Sequence, residues 1–206
     1  MELLDFLRVL GTGLAVVMCS SPLPGIVKNG KLNKLHLVPT PFLYINHSAR
    51  LMWFAYGMIR NIMSFVYVSS LTGSVSFIIL CVFHFYRQTL AKFLVTYALV
   101  FSTAFYLVFS FVPFQVLGPI ASATNILTYL SNVPKLKSAF SQKDSSQIDL
   151  TVTMAATLNA SIWCLVALIL EDYYFLAPNL VGISSGVLQV SGYFYLSSFA
   201  STKKLQ

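Results

Sequence analysis

Long apolar runs, separated by short polar or turn-forming segments, dominate the chain from end to end. A helix that crosses a bilayer needs about 20 mostly apolar residues. The runs of roughly this length cover residues 3–24, 41–60, 63–86, 93–112, 114–134, 150–170 and 173–198. Lipid leaves the edges of an open sheet without partners, and no run of about ten residues alternates like a barrel strand. The pattern predicts an all-α membrane protein with seven transmembrane helices.

Residues that favour turns separate these runs. The separators are Pro24-Gly25, Asn29-Gly30, Arg60-Asn61, Pro113 and the polar run 138–147.

Two markers recur with one and the same separation along the chain. Trp163 follows Trp53 at the same distance in sequence at which Pro134 follows Pro24, and this shared separation is called the repeat offset below. Each proline ends a Ser-x-x-Pro segment at the boundary between an apolar and a basic stretch. A repeated marker set of this kind indicates an internal duplication.

The duplication predicts how the helices are grouped. The two halves are predicted to be parallel bundles of three helices with one linker helix between them, as in transporters built from parallel repeats. The predicted parts are a first repeat at 1–90, a linker helix at 91–113, a second repeat at 114–200 and a cytosolic tail at 201–206.

Composition supports a membrane location and argues against several other classes. Apolar residues make up 57% of the chain and charged residues 9%, whereas a globular chain is about 25% charged. The net charge of +7 comes from basic residues that are scattered rather than gathered in a stripe, so nucleic acid is not an expected partner. Three cysteines lie far apart in apolar runs, without metal-ligand spacing, and are interpreted as packing residues. No metal, no cofactor and no enzymatic activity is predicted, since no phosphate-binding glycine loop or nucleophile elbow occurs.

Basic residues near the span ends predict the orientation. If the N terminus is extracellular or lumenal and the C terminus cytosolic, the cytosolic segments hold most of the lysines and arginines. These residues are Lys28, Lys31, Lys34, Arg87, Lys92, Lys135, Lys137, Lys143, Lys203 and Lys204.

The chain resembles the SWEET (MtN3/saliva) sugar transporters of the PQ-loop superfamily. In the first half the resemblance rests on Ser21-Pro22-Leu23-Pro24, Trp53 and Tyr56-Gly57, and in the second on Trp163, Asp172, Ala177-Pro178-Asn179 and Gly182. It implies bidirectional facilitated transport, a uniport, of mono- or disaccharides by alternating access and without a cofactor. The plasma membrane is the expected location, with the Golgi or another endomembrane as the alternative. Homo-oligomerisation is left open.

The resemblance also implies roles for individual residues. Trp163 and Asn179 match substrate-binding positions, and Tyr56 and Asp172 match the extracellular gate. The proline set of the cytosolic gate is matched by Pro24, Pro134 and, in the second span, by Pro41 or Pro39. The chain departs from the family pattern at four places. Two concern the pocket, where Ser70 replaces an asparagine and Trp53 replaces a small polar residue. The other two are Val166 in place of a gating tyrosine and the absence of a proline at 149–151.

The chemistry of a sugar supports some of these assignments independently. A sugar presents hydroxyls and apolar C–H faces, so a site needs polar side chains and an aromatic plane. Asn159 and Trp163 are four residues apart and share a helix face. Asn179 follows Pro178, which lacks a backbone donor and opens the helical ladder. The alternatives are an interfacial position for the tryptophans, an interhelical hydrogen bond for Asn179, and simple packing for Ser70.

Charges at the outer ends of the spans suggest a gate. Arg60 and Asp172 are predicted to form an ion pair there, with Tyr56 above it. The alternative is a pair of exposed loop charges, worth only about 0–1 kcal/mol.

The sequence Asn46-His47-Ser48-Ala49-Arg50 in the second span fits a plain sugar site least well. A charge near mid-bilayer costs about 2.5–3.5 kcal/mol on insertion scales. A structural contact for Arg50 is the favoured interpretation, with an anion site or a proton-linked step as the alternative. This cluster supports a rival function, transport of amino acids or another charged solute. A rival from another class is a seven-helix receptor or scaffold that transports nothing.

Overall fold

The computed structural model describes residues 2–131 and 133–203, with the side chains of 114 and 199–203 left aside. All regular structure in these residues is helical. The α-helices are α1 (Leu3–Ser20), α2 (Pro22–Lys31), α3 (Thr40–Ile59), α4 (Met63–Tyr86), α5 (Leu90–Phe111), α6 (Phe114–Leu130), α7 (Val133–Gln142), α8 (Leu150–Ile169) and α9 (Tyr173–Lys203). Short 3-10 turns at Leu35–Leu37 and Ser145–Gln147 precede α3 and α8. Residues 204–206 of the predicted tail lie outside the described residues.

The first and fifth predicted spans each end in a broken helix. A turn at Ser21 separates α1 from α2, and α7 follows α6 in the same way. Proline is tolerated in the first turn of a helix, because the backbone donors there have no partner within the helix. The prediction of turns at Pro24-Gly25 and Asn29-Gly30 was therefore wrong, since both pairs lie in α2. The polar run 138–147 is likewise helical as far as Gln142.

The backbone repeats itself at the repeat offset that relates Trp53 to Trp163. Helices α3 and α8 begin and end at positions related by this offset. The left-handed residues that follow the helices repeat in the same way: Asn33 and Lys143, then Asn61 and Glu171. The closing hydrogen bond of the second turn also repeats, from Ile62 N to Gly57 O at 2.9 Å and from Asp172 N to Ala167 O at 2.9 Å. The duplication is thus present in the turn geometry as well as in the order of helices.

The chain forms two compact units. The middle unit is Ala15–Thr124, and the terminal unit combines Met1–Leu14 with Asn125–Gln206. The two unit boundaries are themselves related by the repeat offset, and they divide α1 and α6. The domain boundaries predicted from the sequence follow the chain order instead and stay a prediction.

The equivalent helices α3 and α8 begin differently. Pro39 occupies the N-cap of α3, with a second proline in the first turn. At the equivalent place in α8, the Asp149 side chain accepts a hydrogen bond from Val152 N at 3.0 Å. A carboxylate at this position satisfies a helix-end donor and interacts favourably with the helix dipole. Asp149 thus starts α8 at the place where the expected proline is missing.

Four helical stretches among the described residues are long and apolar enough to cross a membrane. They are Leu3–Lys31, Met63–Tyr86, Leu90–Phe111 and Leu150–Ile169. Helix α3 is of similar length, with 20 residues. It is not among the four because Asn46, His47 and Arg50 lower its hydropathy.

The cap of α8 gives a stability prediction. Asp149→Ala removes the carboxylate that accepts from Val152 N, so it is expected to lower the free energy of unfolding by about 1 kcal/mol. Asp149→Asn keeps an oxygen acceptor and serves as the matched control. Thermal unfolding of the purified protein in detergent measures both variants. Equal stability of the alanine variant and the wild type would show that the cap contributes nothing.

Candidate functional site

The two tryptophans occupy equivalent and buried positions. Trp53 on α3 and Trp163 on α8 are each 3% exposed. The Trp53 ring meets Phe65 edge-on, with ring centroids 6.1 Å apart, and Trp163 meets Phe175 edge-on at 5.5 Å. Phe65 and Phe175 are themselves related by the repeat offset. Both repeats therefore use the same aromatic pair to join the second and third helices.

Helix α1 passes directly beside Trp163 within the terminal unit. A Cβ atom at Gly11 would lie 2.9 Å from Trp163 Cε2 and 3.0 Å from Trp163 Nε1. Real side-chain carbons do not approach so closely, so Gly11 is required by the position of the indole ring.

Asn159 lies one helical turn before Trp163, as the spacing predicts. Its Oδ1 atom is buried and has no hydrogen-bond partner among the described residues. Leaving a buried acceptor unsatisfied costs about 1–3 kcal/mol. In repeat 1 the equivalent position is Ala49, which is fully buried. The equivalent packing in repeat 1 thus forms without a polar side chain at this position.

Asn179 is buried in α9 and is joined to the same aromatic pair. Its Nδ2 donates to Phe175 O at 2.7 Å, and the ring of Phe175 contacts Trp163. Pro178 lies within α9 and carries no backbone N–H. The structure therefore gathers Asn159, Trp163 and Asn179 around α8 and α9 in the terminal unit.

The repeat offset identifies a different first-repeat equivalent of Asn179 from the one that the sequence motif indicated. Ser70 was singled out as the first-repeat counterpart, but Ser70 is exposed and donates to Val66 O on its own helix at 2.7 Å. The residue that precedes Asn179 by the repeat offset is Ser69, which is 4% exposed. Sequence reasoning missed Ser69, although the spacing of Trp53 and Trp163 already pointed to it.

The predicted gate residues have distinct surroundings. Tyr56 is fully buried, and its ring meets Trp53 edge-on at 5.5 Å. Asp172 is buried and accepts from Phe175 N at 3.0 Å, which caps the start of α9. Arg60 is exposed and follows the last residue of α3. Arg60 and Asp172 belong to different units, and their pairing stays a prediction.

The predicted hinge prolines are exposed. Pro24 lies in α2, Pro41 in the first turn of α3, and Pro134 in α7.

A cavity of about 240 Å³ in the middle unit lies beside the α1–α2 break. Its wall consists of Ser21, Pro22, Gly25, Ile26, Asn29, Leu37, Val38, Pro39, Phe42 and Leu43. None of the predicted substrate-binding residues lines it.

The polar cluster of α3 divides into two networks in the middle unit. His47 Nδ1 lies 2.7 Å from Ser76 Oγ, and His47 Nε2 lies 2.9 Å from Tyr97 Oη. Arg50 Nη2 donates to Asn46 Oδ1 at 3.0 Å, while Arg50 Nε is buried without a partner in the described part of the chain. Both ring nitrogens of His47 are thus engaged by neighbouring helices, whereas the guanidinium of Arg50 is only partly satisfied.

Comparison with known proteins extends the likeness to most of the chain. Residues 115–200 match the model of the family described as sugar efflux transporter for intercellular exchange. The chain is 21% identical over 193 residues to Bidirectional sugar transporter SWEET10 of Arabidopsis thaliana, in an alignment that covers 88% of this chain and 67% of that protein. It is 30% identical over 76 residues to Sugar transporter SWEET1 of Rattus norvegicus, in an alignment that covers 37% of this chain and 34% of that protein.

The solved structure of a eukaryotic SWEET transporter has the same fold. The two superpose with a TM-score of 0.78 at 18% identity, covering 96% of this chain and all of the other. The likeness confirms the predicted fold, an all-α integral membrane protein with seven helices in a 3+1+3 order. The family match over residues 115–200 and the named relatives thus make this chain similar to the SWEET sugar transporters, and the solved structure shows that it shares their fold.

Proposed function

We propose that this protein carries mono- or disaccharides across a membrane by bidirectional facilitated transport, with no ion or nucleotide required. The relatives that align with this chain are named as sugar transporters. The two three-helix repeats at 1–90 and 114–200 are proposed to rock against each other by alternating access, with residues 91–113 as the linker.

The observation that carries the proposal is the unsatisfied acceptor beside a buried indole. Asn159 Oδ1 has no hydrogen-bond partner in the part of the chain that the structure describes, and it lies one turn from Trp163. A sugar hydroxyl is a donor, and the C–H face of the same ring packs against an aromatic plane. One bound sugar would therefore satisfy Asn159 and occupy the face of Trp163 at the same time.

The remaining predicted site residues also have proposed roles in sugar binding. Trp53 supplies the equivalent indole in the first repeat, and Asn179 supplies a second amide. Ser70 stays a candidate pocket hydroxyl, with Ser69 as the better-buried neighbour. Buried polar side chains in a membrane bundle are characteristic of substrate pathways.

The gates and the orientation are also proposals. Tyr56, Asp172 and Arg60 are proposed to close the extracellular side, and Pro24, Pro41 and Pro134 to allow bending on the cytosolic side, where helix ends and kinks absorb motion. We also propose that the N terminus lies outside and the C terminus in the cytosol, since the distribution of basic residues favours this orientation. The proposed membrane is the plasma membrane, with the Golgi or another endomembrane as the alternative.

Reconstituted vesicles test the proposed function. Labelled glucose or sucrose is expected to exchange across the membrane at a rate that a proton gradient does not change. Flux of amino acids without flux of either sugar would instead support the charged-solute transporter. The absence of any solute flux, together with stoichiometric binding of a peptide, would support the receptor.

Asn159 allows substrate binding to be separated from structure. Asn159→Ala removes an unsatisfied buried acceptor, so stability is expected to stay equal or to rise by about 1 kcal/mol. Sugar flux is expected to fall by about three- to tenfold, the value of one neutral hydrogen bond. Trp163→Ala is expected to abolish flux, and Leu168→Ala, at an exposed position of α8, is the control. If flux is unchanged in both site variants, the assignment of the site is wrong.

Helix α1 offers a second matched pair. Gly11→Val forces the indole of Trp163 to move, because even a Cβ atom would lie 2.9 Å from Trp163 Cε2. Flux is expected to drop at least tenfold, and the tryptophan emission spectrum is expected to shift. Gly13→Val is the control, since a Cβ atom at Gly13 meets nothing within 4 Å. Identical flux and emission in the two variants would contradict the close contact.

A further inference from the structure

Arg50 is a cation of the middle unit without an anionic partner among the described residues. Its Nη2 donates to Asn46 Oδ1 at 3.0 Å, and its Nε is buried with no acceptor in the same part of the chain. Across those residues, no carboxylate lies within ion-pair distance of Arg50. The acidic residues of the chain lie at the start of α1 or between α7 and α9, as Glu2, Asp5, Asp144, Asp149, Glu171 and Asp172.

The chain holds the Asn46 amide in a fixed direction. Asn46 Nδ2 lies 3.9 Å from Cys19 Sγ, and Cys19 Sγ in turn donates to Thr72 O at 3.3 Å. These contacts link α3 to α1 and α4. The Asn46 carbonyl oxygen is thereby turned toward Arg50, and it orients the guanidinium without neutralising its charge.

Space adjoins Arg50 on the facing helix. Gly73 of α4 is buried. If a Cβ atom is placed on Gly73, the neighbour found within 4 Å outside α4 is the Cβ atom of Arg50, at 3.8 Å. Two other buried glycines of the middle unit are tighter, since a Cβ atom at Gly30 would collide with the Tyr86 ring and one at Gly57 would lie 2.9 Å from the Phe65 Cβ. Among the described residues, the face of Gly73 that points toward Arg50 therefore has room for at least a methyl group.

The duplicated helix shows that this bundle does not need the cation. Helix α8 has the same bounds as α3 once the repeat offset is applied, and it carries Ala160 in place of Arg50 and Ala156 in place of Asn46. Ala160 is fully buried. The same three-helix packing thus forms around an alanine, and a purely structural role for the Arg50 charge has no counterpart in the second copy.

We infer that Arg50 and Asn46 form a recognition site for the carboxylate of a small solute, and that the solute is an acidic monosaccharide. A guanidinium offers paired donors that match a carboxylate, and such charge-assisted hydrogen bonds are among the strongest in proteins. Trp53 lies one turn further along α3, so a sugar ring stacked on Trp53 would bring its carboxylate toward Arg50. This inference rests on the proposed function, in which Trp53 is the sugar-binding indole of the first repeat, and it adds the chemical class of the substituent on the ring.

The experiment compares labelled D-glucuronate with labelled D-glucose in vesicles that contain the whole chain. Glucuronate is expected to move at least tenfold faster at low concentration. Asn46→Asp places a carboxylate of the chain on Arg50, so it is expected to remove that advantage while glucose flux stays unchanged. Arg50→Gln is expected to do the same. Gly73→Ala keeps the charge and fills the adjoining space, so it is expected to weaken glucuronate uptake selectively.

A binding measurement separates this inference from the proposed function. Glucuronate, glucose and alanine are each added to detergent-purified wild type and Asn46→Asp, and the thermal midpoint is recorded. A glucuronate-dependent rise that is lost in Asn46→Asp supports the acidic-sugar site, even if neither sugar crosses the vesicle membrane. A rise with alanine that matches the glucuronate rise would assign the carboxylate to an amino acid and overturn the sugar acid. Glucose flux with no preference for glucuronate, or a preference that survives in Asn46→Asp and Gly73→Ala, would also overturn it.

Discussion

In an apolar surrounding, each buried polar group needs a partner within the chain, and this requirement governs most of the structure. Helices satisfy the backbone, and many hydroxyls bond to the carbonyl one turn back, as Thr72 does to Val68 O at 2.7 Å and Thr157 to Thr153 O at 2.8 Å. Exceptions among the described residues include Arg8 Nε, Ser64 Oγ, Asn159 Oδ1 and Arg50 Nε. Asn159 and Arg50 each lie one turn before a buried tryptophan. These two unsatisfied groups therefore combine a polar atom with a nearby aromatic ring, which is the combination that a sugar site requires.

The two repeats share a backbone and differ in polar side chains. Helix bounds, left-handed turn residues and the tryptophan–phenylalanine pair all recur at the same offset. The polar substituents do not recur, because Ala49 corresponds to Asn159 and Arg50 corresponds to Ala160. The features that both copies share are those that determine the backbone path and the packing of the helices. The two copies therefore differ in chemistry, since an amide lies one turn before Trp163 and a cation one turn before Trp53.

Histidines join the linker helix α5 to the middle unit. His47 of α3 lies 2.9 Å from Tyr97 Oη, and the ring of His84 of α4 stacks on Phe93 at 4.2 Å between centroids. His84 Nε2 also lies 2.6 Å from Tyr44 Oη. These contacts explain why α5 belongs to the same compact unit as α3 and α4. His47 therefore connects α3 to α4 and α5, a role that is separate from that of Arg50.

The sequence alone determined the helices and their repeat, because the length of an apolar run and the residues that favour turns act locally. Helix α4 spans the predicted residues 63–86, and the predicted turn at Arg60-Asn61 is present. It also placed Trp163 and Asn159 on one face, since helical spacing is regular. Proline and glycine signals misled where α2 continues through Pro24-Gly25, because a helix start accepts proline. The sequence could not show that Asn159 Oδ1 lacks a partner among the described residues, that Ser69 rather than Ser70 is buried, or that Gly73 leaves space beside Arg50. Those facts depend on which side chains of other helices arrive at each position, and only tertiary packing decides that.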